Sequence, residues 1–231
     1  DGDDYVLTGT KTFITSAGDA DLYVVMARAG DGTGGISAFL VEAAWPGVST
    51  GAPFAKMGLH GSWTGELVLD GVRVPAGNRL AAEGEGFRVA MAALDSGRVG
   101  ISAQATGIAQ GALDVAVQAC RRRRESGREC DEVALADMQA ATVASRLLTR
   151  HAAAMVDAGL AVTRDASIAK LFATDACMAV AEHAVNICAP DAAMEDHPAA
   201  VRLRDAKACQ IYEGTNQIQR VVIARHLLQA A

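Results

Sequence analysis

The spacing of apolar residues changes near residue 80, which predicts two regions of different structure. In the first region, short runs rich in β-branched and aromatic residues alternate with Gly, Pro and Asp, as is typical of strands joined by turns. We predict strands at 5–8, 11–15, 22–27, 36–41, 66–69 and 72–75, with turns at Gly9 and at Asp70-Gly71. No helical pattern interrupts this series, so we expect an antiparallel sheet or barrel.

From about residue 84 the apolar residues recur at helical spacing. The pattern predicts a long helix to about residue 124, a second from the N-cap Asp131 to about 158, a third from Thr163 or Asp165 to about 188, and shorter helices around 199–208 and after Gly214. Long helices joined by short breaks favour an antiparallel bundle. The predicted fold class is α+β, with a partial antiparallel β domain at 1–80 and an antiparallel four-helix bundle at 81–231.

Composition excludes several classes of protein. The net charge of -6 argues against a nucleic-acid binder, which would need a basic face. The five cysteines are widely spaced without a CxxC pair, so we expect reduced thiols rather than a disulfide framework or a metal site. No apolar run approaches the length of a membrane span, and the acidic start at residues 1–4 is unlike a targeting peptide. We therefore expect a cytoplasmic protein without membrane contact.

The most specific pattern lies near the C-terminal end of the sequence. Residues 204–220, which contain Tyr212-Glu213-Gly214-Thr215, closely resemble the C-terminal signature of acyl-CoA dehydrogenases. Stretches at 7–18, 72–75, 84–87, 94–98 and 107–113 are similar to the same family and occur in the same order. Members of this family have an N-terminal helical domain, a middle β domain and a C-terminal four-helix bundle. The resemblance covers the bundle and most of the middle domain, and the first domain has no counterpart here.

This resemblance implies a reaction and a base. The family removes the α-proton of an acyl-CoA thioester and passes a β-hydride to N5 of FAD. A weakly acidic α-proton needs a carboxylate beside it and hydrogen bonds to the developing enolate oxygen. Glu213 matches the family's base, whose backbone N–H also helps to hold the thioester carbonyl. The residues themselves leave an alternative open, in which Glu213 is a charge favoured by a helix N-terminus. Some branches place the base directly before Arg98, but Gly97 stands there.

The resemblance also implies binding residues. Thr15 matches a residue that bonds FAD near N5, and Phe13 and Ile14 match neighbours that pack on the ring, although the three also suit an ordinary strand. Thr215 and Gln217 match contacts to the FAD diphosphate and adenosine, and Thr215 also suits a helix N-cap. Three residues are assigned to the substrate. Arg98 matches a position near the acyl-CoA pantetheine, Tyr212 is a candidate to line the acyl pocket, and the flexible Gly214 lets a ligand approach the backbone closely. An ion pair with Asp95 is the alternative for Arg98, and core packing is the alternative for Tyr212.

Two segments depart from the family pattern. Ala189-Pro190-Asp191-Ala192 stands where the family has Gly-Gly-x-Gly, which lets the FAD of a neighbouring subunit approach the backbone. Ser126 replaces the Phe of an Arg-x-Phe-Gly segment, and about five residues after it are deleted relative to the family pattern. Both changes remove contacts to FAD, so we expect weaker flavin binding.

Three functional hypotheses follow. The first is an FAD-dependent acyl-CoA dehydrogenase that forms a homodimer or homotetramer and passes electrons to a partner protein. The second is a truncated, non-catalytic homologue that pairs with a complete dehydrogenase. The third is an acyl-CoA oxidase on the same scaffold, which differs only in what reoxidises the flavin.

Overall fold

The computed structural model describes residue 2 and residues 4–229, which form two compact units divided between Ala93 and Leu94. Within this part of the chain the first unit contains the strands β1 (Asp4–Thr15), β2 (Leu22–Arg28), β3 (Ile36–Glu42), β4 (Val48–Thr50), β5 (Thr64–Pro75) and β6 (Arg79–Leu80). The helices are α1 (Gly86–Glu125), α2 (Glu132–Asp157), α3 (Thr163–Ile187), α4 (Pro198–Cys209) and α5 (Asn216–Gln229). The second unit, here called the helical unit, contains all of them except the first turns of α1. The α+β fold class with a helical bundle is therefore confirmed.

The first unit consists of two antiparallel sheets with the strand orders β1-β5-β4 and β2-β3-β6. Strand β5 buries Leu67 and Leu69 and then Val72 and Val74, so its inward-facing positions shift by one residue at Asp70-Gly71. That shift is a β-bulge, in which one extra residue bends the strand without ending the pairing.

The turns predicted at Gly9 and at Asp70-Gly71 are therefore wrong. Strand β1 runs through Gly9 and β5 runs through Gly71, because the two strands pair along their whole length. Gly71 adopts φ +63° within the bulge, a conformation that glycine accepts without steric cost. The short strands β4 and β6 were not predicted, since three and two residues give no readable alternation.

The helices follow the sequence pattern closely. The predicted N-cap of α2 is confirmed, because the Asp131 side chain accepts a hydrogen bond from the Ala134 N–H at 2.9 Å. Alanine fills much of the helical core, and α1 alone buries Ala105, Ala109, Ala112 and Ala116 completely. Small side chains at a spacing of three or four residues let neighbouring helices approach closely. This packing explains how a chain with few aromatic residues builds a dense core.

The expectation that all five cysteines are reduced is wrong for two of them. Cys120 at the end of α1 and Cys130 before α2 form a disulfide, because the chain reverses between these helices and brings their Cα atoms to 5.3 Å. Cys177, Cys188 and Cys209 are buried free thiols. Within the described residues, no helix is long and apolar enough to cross a membrane, and no cluster of three or more His, Cys, Asp or Glu side chains could hold a metal ion.

Candidate functional site

The Glu213 loop, residues 210–215 between α4 and α5, has an unusual backbone. Glu213 and Gly214 both adopt left-handed conformations, with φ of +53° and +85°. The Asn216 N–H donates to the Gln210 carbonyl at 3.1 Å and closes the loop. A non-glycine residue in this region costs about 1 kcal/mol or more, so the surrounding structure must hold Glu213 there. Such strain is often retained where a side chain or an N–H group must point in one direction.

The side chain of Glu213 lies against α1 at Gly97. A Cβ atom added to Gly97 would lie 2.8 Å from Cδ of Glu213 and nearer still to Oε2. Any side chain at position 97 would therefore occupy the space that the carboxylate uses. Glu213 is half-buried, so its carboxylate is shielded by the helices and remains reachable from outside. This is the geometry that a proton-accepting group at a binding surface requires.

Two buried donors hold the carbonyl groups of the same loop. The Nζ of Lys170 on α3 donates to the Gly214 carbonyl at 2.8 Å and to Asn216 Oδ1 at 2.9 Å. The Nε2 of Gln219 on α5 donates to the Gly214 carbonyl at 2.9 Å and to the Glu213 carbonyl at 3.3 Å. Both side chains are completely buried. Burial lowers the pKa of Lys170 from 10.5 to about 8, although Asp175 and Glu213 among its neighbours favour the charged form.

A second layer of hydrogen bonds connects the loop to α3. The side-chain nitrogen of Asn216 donates to Thr174 Oγ1 at 2.9 Å and to Asp175 Oδ1 at 2.7 Å. Asp175 also accepts from Gln210 at 2.7 Å and from Arg220 at 2.9 Å. Residues at both ends of the loop are therefore attached to one stretch of α3.

Tyr212 packs against the helical core, as its alternative interpretation predicted. Its hydroxyl donates to Gln104 Oε1 at 2.5 Å and lies 3.7 Å from Cys209 Sγ. Burial raises the pKa of the Tyr212 hydroxyl far above its ordinary value. The side chain is only half-buried, so its role in a substrate pocket stays a prediction.

Arg98 forms the ion pair that was considered as its alternative role. Its Nη1 lies 2.8 Å from Asp95 Oδ1, and the other Asp95 oxygen accepts from the Thr163 hydroxyl at 2.6 Å. Arg98 is 5% exposed, and its Nε has no hydrogen-bond partner among the described residues. Arg98 follows Gly97, the residue that Glu213 lies against, and its assignment to the substrate stays a prediction.

Thr215 and Gln217 lie where α5 begins. Thr215 Oγ1 accepts from the Ile218 N–H at 3.4 Å, which is the N-cap contact considered as its alternative. Thr215 is half-buried and Gln217 is exposed. The N–H groups of Asn216, Ile218 and Gln219 in this first turn all donate to residues 210 and 215, and the assignment of Thr215 and Gln217 to FAD stays a prediction.

Phe13, Ile14 and Thr15 end β1 in the first unit. A second bulge falls between Lys11 and Ile14, and Phe13 there has φ +59°. The Phe13 ring is 76% exposed and lies 5.3 Å from the ring of Phe54. Ile14 packs against the β core, whereas Thr15 is exposed. The bulge turns a large aromatic side chain outward, where it can contact a planar ligand.

The segments that depart from the family pattern are built into the helical unit. Ala192 is 3% exposed and belongs to the helical core, and the Ala189 carbonyl accepts from Arg123 at 3.1 Å. The Ser126 hydroxyl donates to the Arg122 carbonyl at 3.0 Å. These residues therefore have structural partners of their own.

Comparison with known proteins gives a consistent result. Residues 84–228 match the acyl-CoA dehydrogenase C-terminal domain, and residues 1–72 match the acyl-CoA dehydrogenase middle domain. An acyl-CoA dehydrogenase of Bacillus subtilis is 46% identical over 97% of this chain and 61% of its own length. Cyclohexane-1-carbonyl-CoA dehydrogenase of Geobacter metallireducens is 44% identical over 100% of this chain and 62% of its own length.

A solved structure shows the same likeness in three dimensions. Butyryl-CoA dehydrogenase from Megasphaera elsdenii has a TM-score of 0.95 at 44% identity, over 99% of this chain and 62% of that protein. The chain thus spans about three fifths of the length of the relatives that it matches.

Proposed function

Because this chain belongs to the acyl-CoA dehydrogenase family, we propose that it takes part in the FAD-dependent α,β-dehydrogenation of an acyl-CoA thioester, with Glu213 as the base. Glu213 would take the α-proton, and bound FAD would accept the hydride that leaves the β-carbon. The bond between these carbons becomes double, and the substrate loses two hydrogens in total. The observation that carries the proposal is the carboxylate of Glu213, half-buried against Gly97 on a strained loop.

The backbone of the Glu213 loop supports a second role for this residue, which is to stabilise the charge on the thioester oxygen. No hydrogen bond among the described residues uses the Glu213 N–H, whereas the carbonyls of Glu213 and Gly214 are both occupied. A free N–H beside the base can donate to the thioester carbonyl, on which negative charge develops as the α-proton leaves. The left-handed backbone thus gives one residue two functions, a carboxylate for the proton and an N–H for the oxygen.

We also propose FAD as the cofactor. In the first unit, Phe13, Ile14 and Thr15 would contact the flavin ring, and the exposure of Phe13 and Thr15 supports this assignment. In the helical unit, Thr215 and Gln217 would contact the diphosphate and adenosine at the start of α5. We further propose Arg98, Tyr212 and Gly214 as residues that contact the acyl-CoA substrate, and a homodimer or homotetramer as the assembly. Exposed Phe172, Ile218 and Val221 support self-association.

The test is flavin reduction by a thioester. The purified protein is supplied with FAD and then with butyryl-CoA, and the flavin absorbance should bleach. Glu213→Gln should lower the rate by about a hundredfold or more, the usual contribution of a general base, while thioester binding persists. Glu182→Gln, an exposed carboxylate on α3, is the matched control and should keep the wild-type rate. Undiminished reduction in Glu213→Gln would exclude this residue as the base.

A second function is favoured by the segments around Ser126 and Ala192. The segment that contains Ala192 has bulkier residues than the family pattern, the segment after Ser126 is shorter, and both have structural partners of their own. These features support a chain that pairs with a complete dehydrogenase and binds no FAD itself. A colourless protein that cannot be reconstituted with FAD would favour this alternative over the first.

A further inference from the structure

The left-handed conformation of Glu213 needs an explanation from its surroundings. The residue has a Cβ atom, and its own conformational preference opposes φ +53°. Gly214 allows the next φ of +85°, but it does nothing to hold Glu213. A loop with this preference would relax unless other groups fixed its peptide units.

The carbonyl clamp, which we define as Lys170 and Gln219, contacts those peptide units directly. Three hydrogen bonds of 2.8, 2.9 and 3.3 Å reach the carbonyls of Gly214 and Glu213 from the buried side. A peptide group is planar, so fixing a carbonyl also fixes the N–H on its opposite side. Holding the carbonyls of Glu213 and Gly214 inward therefore leaves the N–H groups of Gly214 and Thr215, which share those peptide planes, directed away from the clamp.

Both clamp residues lie in an unfavourable environment when they make these contacts. An ammonium group with no exposure is costly, and the two groups that accept from Lys170 Nζ are amide oxygens rather than carboxylates. Gln219 Oε1 is buried without a partner in the described part of the chain, because the nitrogen of the same amide faces the two carbonyls. Methionine or leucine would fill either position at lower cost.

We propose that Lys170 and Gln219 are positioning residues that hold Glu213 in its left-handed conformation. The proposal rests on the proposed function for its catalytic meaning, whereas its structural content concerns the loop alone. Neither residue contacts substrate or flavin in this role. They act through the two peptide groups that follow Glu213 and Gly214, and so restrain the backbone on the C-terminal side of the base.

The structural test measures amide hydrogen exchange at Asn216, whose bond to the Gln210 carbonyl closes the loop. Lys170→Met and Gln219→Met should each lower the protection of this amide by about tenfold to a hundredfold, the effect of losing a buried donor. Exposed Gln118→Met is the control and should stay within about twofold of the wild type. Gln219→Leu, which removes the donor without adding a charge, replaces a methionine variant that fails to fold.

The catalytic test measures the rate of flavin reduction per bound flavin at saturating butyryl-CoA. The clamp variants should be slower by about tenfold or more, with little change in the half-saturating concentration of butyryl-CoA. The reason is that a misdirected base slows removal of the α-proton and leaves thioester binding unaffected. A residue that only stabilised the fold would lower flavin content and leave this rate unchanged. Unchanged Asn216 protection in both clamp variants would overturn the proposal, whereas a wild type that never reduces flavin would refute the proposed function alone.

Discussion

Two glycines of α1 should respond in opposite ways to the same substitution. Gly97 and Gly100 are one helical turn apart, and alanine in a helix interior is favoured over glycine by about 1 kcal/mol. At Gly100 an added Cβ meets nothing within 4 Å, so Gly100→Ala should raise the free energy of unfolding by about that amount. At Gly97 the same atom would lie 2.8 Å from Cδ and 3.3 Å from Oε1 of Glu213.

The size of the effect at Gly97 follows from these distances. Carbon atoms pack without repulsion at roughly 3.5–4.0 Å, so Cδ must move by about 1 Å. A displacement of about 1 Å in a reacting group can cost about a hundredfold in rate. Gly97→Ala should therefore reduce the limiting rate of flavin reduction by about a hundredfold, while Gly100→Ala keeps the wild-type rate.

Stopped-flow measurement of flavin bleaching at saturating butyryl-CoA gives this rate, and urea denaturation gives the stability of each variant. A folded Gly97→Ala protein that reduces its flavin as fast as the wild type would refute the placement of the carboxylate over α1. An equal loss of rate in Gly100→Ala would also refute it, because the loss would then arise from a change in the helix and not from the contact with Glu213.

Two further predictions concern buried charge. Burial lowers the pKa of Lys170 from 10.5 to about 8, so between these pH values the unfolded chain binds more protons and the free energy of unfolding rises with pH. Relative to Lys170→Met, the wild type should gain on the order of 3 kcal/mol over this interval in chemical denaturation, and no gain would contradict the burial. Asp95→Ala leaves the Arg98 guanidinium buried without its carboxylate and should cost about 3 kcal/mol or more in urea denaturation, whereas the exposed Asp137→Ala should be nearly neutral.

The helical half of the fold could be predicted because its signals are local. Asp131 caps α2 through an N–H only three residues away, and the helix pattern is readable within a few turns. The β half was less predictable because a bulge depends on the partner strand. The pair Asp70-Gly71 is typical of a hairpin turn. Only the continuous pairing of β5 with β1 shows that it is a bulge within one strand. The Cys120–Cys130 bond was missed for a related reason, since only the reversal between α1 and α2 brings the two residues together.

In the candidate site, too, some features depend on neighbouring residues and others on residues far away in the sequence. Glu213 could be proposed from its own motif, because the residues that identify it are its immediate neighbours. Lys170 could not, since it lies among the alanines of α3 and its partner carbonyl is 44 positions further along the chain. From the sequence alone, a lysine in that apolar stretch is an exception to the helix pattern without a visible cause.

The contact between Lys170 and the Gly214 carbonyl explains why a lysine lies in this apolar stretch. A buried cation opposes folding unless donors and acceptors are matched, and here the match falls on the two peptide groups beside the candidate base. Local sequence thus identifies the group that reacts, whereas distant residues determine the direction in which it points. If this division is correct, exchanging residues at 170 or 219 should change the rate without changing which residue takes the proton. Glu213→Gln should then bring a clamp variant down to the same low rate that it gives in the wild-type background.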